Sequence, residues 1–149
     1  MKCTMESEES KVPFLAAMLG YAGLIPFLVF AVGLWIVPPV LTEMFDKALL
    51  TYAACILAFM GAIHWGAAMN GSVNSWQLGI SVVPALVAWL ALNISTSWDY
   101  SILIIGFALL CVVDSLATRR KLFPEWYPRL RIPLTSVVIL SLISGALAS

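Results

Sequence analysis

Charged residues are scarce in this 149-residue chain, making up 11% of it against about 25% in a typical soluble domain. Hydrophobic residues make up 62%, and the mean hydropathy is +0.98. A water-soluble fold needs a polar surface to cover its core, and this composition cannot supply one. The net charge of zero also gives no indication of a nucleic-acid partner.

Cysteine and histidine are few as well. Cys3, Cys55 and Cys111 form no close pair, and His64 is the single histidine, which argues against a disulfide framework, a zinc site and a haem site. The sequence contains no HExxH, no GxSxG, no Walker loop and no GxGxxG motif after a strand. We therefore expect no metal, no cofactor and no enzymatic activity.

Long apolar stretches take up most of the chain. A helix needs about 20 apolar residues to cross the hydrocarbon core of a bilayer. We predict an all-α fold, a compact polytopic bundle of five transmembrane helices that forms one integral membrane domain over residues 1–149. The predicted spans are about 13–37, 48–69, 75–93, 101–118 and 133–148. A membrane barrel would instead show short segments of alternating polarity.

The segment 119–132 carries five of the eight Lys and Arg residues. The positive-inside rule places such a loop in the cytoplasm, or in the matrix of a mitochondrion. Five spans then predict that the N-terminus lies inside and the C-terminus outside. The expected location is the bacterial inner (cytoplasmic) membrane, or the mitochondrial inner membrane if the source is a eukaryote.

The cations and aromatic residues of this loop have two interpretations. They contact anionic lipid headgroups, or they dock a partner protein. The residues concerned are Arg119, Arg120, Lys121, Trp126, Tyr127, Arg129 and Arg131.

Two ionisable residues, His64 and Asp114, lie clearly within predicted spans. Counting from the inner ends of their helices at 1.5 Å per residue puts them at depths of about 9 and about 7.5 Å. A partner reduces the cost of a buried carboxylate, so we predict that the two face the bundle interior and lie close together. They form either a structural pair or a ligand or proton site, with Tyr21 and Trp65 as further candidates. The Asp114 carboxylate could alternatively extend toward Arg119 or Arg120 and pair with one of them.

A row of small residues, Ala54, Ala58, Ala62 and Gly66, recurs every four positions along span two. Small residues let transmembrane helices approach closely. We expect this row to be a helix-packing face and span two to lie at the centre of the bundle.

Four segments together resemble one known family. They are residues 19–27 (LGYAGLIPF), 61–66 (GAIHWG), 83–89 (VPALVAW) and 126–131 (WYPRLR). In this order they resemble the domain of unknown function 3429 family, the transmembrane protein 69-like proteins. The resemblance implies a small bacterial inner-membrane or mitochondrial protein, and it supplies no catalytic residues.

Two functions remain open at this point. The first is an accessory or assembly component that is surrounded by lipid and binds another membrane protein or a second copy of itself. The alternative is a carrier or sensor of a small apolar molecule or a proton, which would use His64 and Asp114.

Overall fold

The computed structural model describes residues 11–69, 75–94 and 98–149. Within these ranges every regular element is a helix, and none of the residues forms a strand. The helices are α1 (Phe14–Ala22), α2 (Ile25–Gly33), α3 (Pro39–Met69), α4 (Ser75–Asn93), α5 (Asp99–Arg119) and α6 (Tyr127–Ala148).

The first span consists of α1 and α2 together and runs over Phe14–Gly33. The helix breaks at Gly23 and Leu24, and Pro26 occupies the first turn of α2. A proline is tolerated there because its missing N–H would have no helical partner anyway. The hydroxyl of Tyr52 donates to the Gly23 carbonyl at 3.0 Å, so α3 supports the break.

Helix α3 begins at Pro39 and has 31 residues, whereas the hydropathy pattern predicted a start at residue 48. The prediction ended the span where Glu43, Asp46 and Lys47 interrupt the apolar run. A helix of 31 residues is about 46 Å long, whereas the hydrocarbon core is about 30 Å thick. The first turns of α3 therefore extend beyond the hydrocarbon core, where charged side chains are tolerated. In this extension the ring of Phe45 packs edge-on against Phe30, with centroids 5.6 Å apart.

Helix α6 also begins earlier than predicted, at Tyr127 rather than 133. Pro128 lies in its first turn, where a proline is compatible with a helix start. The end of the predicted loop 119–132 is therefore helical, and Arg131 lies on the buried face of α6. The predicted bounds of α4 and α5 differ from the structure by at most two residues. The connections at 70–74 and 95–97 lie outside the described residues.

Helix α3 occupies the centre of the bundle, as predicted, and contacts α2, α4, α5 and α6. The predicted row of small residues is only partly its packing face. Ala54 is buried and Ala58 is half-buried, but Ala62 and Gly66 are exposed. Steps of four residues overshoot a 3.6-residue turn, so the row rotates about 120° between Ala54 and Gly66.

The face of α3 that is buried keeps its direction because it combines steps of three and four residues. It includes Leu50, Ala53, Leu57, Gly61, His64 and Ala68. Gly61 makes the closest approach to α4: a Cβ there would lie 2.8 Å from Pro84 Cγ and 2.9 Å from the Ser81 carbonyl oxygen.

The middle of the bundle is apolar. Leu57, Leu103 and Phe107 have no exposed surface, and Phe27 is 1% exposed. Many large apolar side chains point outward instead, as expected where lipid is the solvent. Five helical segments are long and apolar enough to cross a membrane. The chain is an integral membrane protein with several spans, and its five-helix all-α architecture agrees with the sequence prediction.

Candidate functional site

The carboxylate of Asp114 on α5 joins three helices near one end of the bundle. Its Oδ1 lies 2.9 Å from Nε2 of His64 on α3, and its Oδ2 accepts a hydrogen bond from Nε of Arg131 on α6 at 2.7 Å. The three side chains are buried, with exposed fractions of 1%, 0% and 5% for Asp114, His64 and Arg131. We call this cluster the Asp114 junction.

Aromatic side chains cover the Asp114 junction. Phe123, in the connection between α5 and α6, places its ring edge-on to His64 with centroids 5.0 Å apart. Tyr127 contacts Phe123 at the same centroid distance, and its hydroxyl lies 3.4 Å from Asp114 Oδ2. The α5–α6 connection therefore separates the junction from the surroundings at this end of the protein.

Within the Asp114 junction, Arg131 and Asp114 form a salt bridge between opposite charges. Arginine remains protonated in proteins, so Arg131 offsets an ionised Asp114. An ionised carboxylate can only accept hydrogen bonds, so the His64 nitrogen that faces it, Nε2, is the one that carries the hydrogen. Both carboxylate oxygens thus have partners within the chain. The arrangement fastens α3, α5 and α6 to one another.

The predicted proximity of His64 and Asp114 is confirmed by this contact. Arg119 and Arg120, the cations expected within reach of Asp114, form no ion pair with it. Both are exposed at the end of α5. The partner is Arg131, which the sequence analysis had assigned to a surface loop. The register of α6 could have indicated it, because Arg131, Thr135, Val138 and Leu142 repeat at helical spacing along the buried face.

Two further candidates lie outside the cluster. The side chain of Trp65 is 47% exposed, because it follows His64 by about 100° around the helix. Tyr21 on α1 is 52% exposed. Neither residue belongs to the buried Asp114 junction.

The remaining cations of the predicted loop stay at the surface. Arg119, Arg120, Lys121 and Arg129 are exposed. The guanidinium of Arg120 lies over the ring of Trp76, 5.3 Å from its centroid. Trp126 is half-buried and packs against Tyr127 with centroids 6.1 Å apart. We call this end of the molecule the basic end.

The opposite end carries a second set of polar contacts. The Tyr100 hydroxyl donates to Asp46 Oδ1 at 2.6 Å, and Trp35 Nε1 donates to Ser144 Oγ at 3.0 Å. A shallow cleft of about 290 Å³ opens nearby, and none of the predicted site residues lines it. The residues that line it are Lys47, Leu50, Thr51, Ala91, Leu92, Ile94 and Asp99.

Metal binding finds no support in the described part of the chain. Among residues 11–69, 75–94 and 98–149 there is no group of three or more His, Cys, Asp and Glu side chains that could hold an ion. His64 and Asp114 face each other, and the third member of the cluster is a cation, which does not ligate metals.

Comparison with known proteins decides the family. The model of the family described as "Protein of unknown function (DUF3429)" matches residues 12–147. The chain belongs to this family. Two relatives are the proteins named transmembrane protein 69 in Xenopus tropicalis and in Mus musculus. The frog protein is 37% identical over 145 residues, which covers 92% of this chain and 55% of the relative. The mouse protein is 31% identical over 149 residues, which covers 88% and 55%.

The chain therefore spans about half the length of the curated DUF3429 relatives it matches. No solved structure matches it. The region matched by the family model contains all members of the Asp114 junction, together with the aromatic residues that cover it.

Proposed function

We propose that this DUF3429 protein is a non-enzymatic accessory or assembly component that binds another membrane protein. The observation that supports this function is the closure of the Asp114 junction. Both oxygens of the carboxylate have partners within the chain, and each of the three residues is at least 95% buried. A transport or catalytic site needs polar groups that a substrate can reach.

The surface best suited to a partner lies on α3. Ala62 and Gly66 are exposed, and no atom lies within 4 Å of a Cβ placed on Gly66. The large side chains beside them, Phe59, Trp65 and Met69, are 63%, 47% and 74% exposed. A small-residue surface between large side chains suits close packing by another transmembrane helix. We call these five residues the outer face of α3.

The proposed orientation puts the basic end in the cytoplasm of a bacterium or in the mitochondrial matrix, with the N-terminus on that side and the C-terminus on the other. There Arg119, Arg120 and Lys121 would contact anionic headgroups or an acidic surface of the partner. Near an anionic membrane each cation contributes about 1 kcal/mol of attraction.

A photo-crosslinking residue at position 66 tests the proposed function. Crosslinking in native membranes, followed by mass spectrometry, should recover one defined membrane protein from position 66. Position 109 on α5 is the control, because Leu109 is 61% exposed and lies outside the proposed surface. Capture of the same set of proteins from both positions would mean that neither marks an interface. Capture of this chain alone would make the partner a second copy.

A matched pair of variants tests the same surface. Gly66→Leu should abolish co-purification of the captured protein, whereas Gly79→Leu should not. Gly79 on α4 is the proper control, because a Cβ there also meets nothing within 4 Å. If neither variant reduces co-purification, the outer face of α3 is not the interface.

The alternative function is a carrier or sensor of a small apolar molecule or a proton. The His64–Asp114 contact of 2.9 Å favours it, because chains of histidine and carboxylate groups serve as proton relays in membranes. Proton flux measured in proteoliposomes tests it. Flux in the wild type that is absent from a folded Asp114→Asn variant would favour the alternative over the accessory function, and absence of flux in the wild type would exclude a proton carrier.

A further inference from the structure

Three buried polar atoms around the Asp114 junction have no hydrogen-bond partner among the residues that the structure describes. They are Nδ1 of His64, Nη2 of Arg131 and Oγ1 of Thr135. Their side chains belong to residues that are 0%, 5% and 3% exposed. Buried polar groups in native proteins are nearly always paired, either with protein or with ordered water. Two of these atoms belong to the Asp114 junction and the third lies one helical turn after Arg131, and all three need partners that the described residues do not supply.

Several hydroxyls on these helices bond to their own backbone, and that of Thr135 does not. Ser115, Thr118 and Ser136 each donate to the carbonyl four residues earlier, at 2.8, 3.0 and 2.9 Å. Thr135 directly precedes Ser136 but makes no such bond. It lies one helical turn after Arg131 on the same buried face, where residues four apart are neighbours.

One donor of the Arg131 guanidinium, Nη2, has no acceptor among the described residues. Its Nε is bound to Asp114 Oδ2, while the other oxygen, Oδ1, is in contact with His64. The planar fork of an arginine could have placed two parallel bonds on one carboxylate. Here His64 takes the second oxygen, and Nη2 needs an acceptor from elsewhere.

The charge balance defines the chemical class of a guest molecule that could supply these partners. Arg131 and Asp114 already offset each other, so a buried anion or cation would add an unpaired charge in a low-dielectric environment. With a neutral His64 ring the junction carries no net charge, so the guest that fits it is neutral. It must accept from Arg131, which has no acceptor, and it must pair with a hydroxyl. Water meets these requirements, and buried waters typically make about three hydrogen bonds.

We propose that the Asp114 junction binds an enclosed water molecule, held by Arg131 Nη2 and Thr135 Oγ1, with His64 Nδ1 as the third group of the site. The water extends the polar contact between α6 and α3 beyond the ion pair. It is resident within the bundle and does not require a pathway to either membrane surface. The proposal is independent of partner binding at the outer face of α3.

The direct test is a water-to-methyl nuclear Overhauser experiment on the full chain in nanodiscs of deuterated lipid, with labelled threonine methyl groups. We expect a cross-peak between water and the Thr135 methyl group. Thr51 is the positive control, because its side chain is exposed. If exposed Thr51 shows a cross-peak and Thr135 shows none, the proposal is overturned.

A second test uses the sign of a stability change. Thr135→Val keeps the side-chain shape and removes the hydroxyl. If water is bound, this variant deprives it of a partner, and the folding equilibrium constant should fall about tenfold. Thr135→Ser keeps the hydroxyl and should retain the water. If no water is present, Thr135→Val removes an unpaired buried hydroxyl and leaves stability unchanged or higher, which would refute the site.

Discussion

Arg131 on α6 donates from Nε to Oδ2 of Asp114 on α5 at 2.7 Å, and both side chains are at least 94% buried. In the middle of the bundle, by contrast, these helices are joined by apolar packing. Because the two residues stand on either side of the α5–α6 connection, they determine how that connection folds back. His64 adds α3 to the same contact.

Breaking this pair should destabilise the protein strongly. Asp114→Asn leaves the Arg131 charge buried without its counter-charge, and Arg131→Met leaves the carboxylate in the same state. Each should reduce the free energy of unfolding by about 3–5 kcal/mol. The measurement is equilibrium unfolding in mixed detergent micelles.

The double variant, Asp114→Asn with Arg131→Met, separates pairing from burial. It removes both charges, so its loss should be smaller than the sum of the two single losses. Additive losses would show that the two residues contribute independently and that the contact is not an energetic pair.

Because His64 is the single histidine of the chain, its ring can be observed without assignment by mutagenesis. Nε2 faces Asp114, so we predict that the ring hydrogen resides on Nε2 and exchanges slowly with solvent. Nitrogen-15 NMR of histidine-labelled protein reports which nitrogen is protonated. A neutral ring protonated only on Nδ1 would contradict the arrangement.

The tight approach of α3 to α4 predicts opposite outcomes for two glycines on the same helix. Gly61→Ala introduces a Cβ 2.8 Å from Pro84 Cγ and 2.9 Å from the backbone oxygen of Ser81, and should cost about 1–3 kcal/mol. Gly66→Ala meets nothing within 4 Å, and should leave stability unchanged or raise it by up to ~1 kcal/mol. Equilibrium unfolding of both variants in the same micelles measures the difference.

These glycines also show what a sequence pattern can and cannot indicate. The number of spans follows from hydropathy, because a segment that crosses the bilayer as a helix must be long and apolar. The contact of His64 with Asp114 follows from counting residues along two helices. The packing face of α3 was not predicted correctly from the sequence. Residues spaced four apart rotate around the helix, whereas the buried residues lie along one line parallel to the helix axis.

The position of Arg131 could not be derived from composition. Proline and cations near a span boundary are typical of a surface loop, and four of the five cations are indeed exposed. The fifth is buried because Asp114 needs a counter-charge at the depth where α6 passes. The need for this counter-charge depends on the tertiary structure, and only the register of α6 shows which arginine supplies it.

Lys121 follows α5 with a positive φ of 60°, a left-handed conformation that glycine adopts without steric cost. We predict that Lys121→Gly stabilises the protein by about 1 kcal/mol. Arg120→Gly is the control, because it removes the same charge at a residue whose φ is −85°. It should give no gain. Thermal unfolding of the two variants in one detergent distinguishes backbone strain from loss of charge.

The proposed orientation of the bundle depends on the asymmetry between its two ends. The basic end carries Arg119, Arg120 and Lys121, while at the other end Lys47 lies beside Glu43 and Asp46. Cationic segments resist translocation, so the basic end should remain on the side where the chain is inserted. The test is labelling of single cysteines with a membrane-impermeant maleimide in a variant without Cys3, Cys55 and Cys111. Lys121→Cys should react only after the membrane is opened, and Ser149→Cys should react in intact spheroplasts. Labelling of both positions before lysis would place the two termini of α6 on one side and rule out the five-span topology.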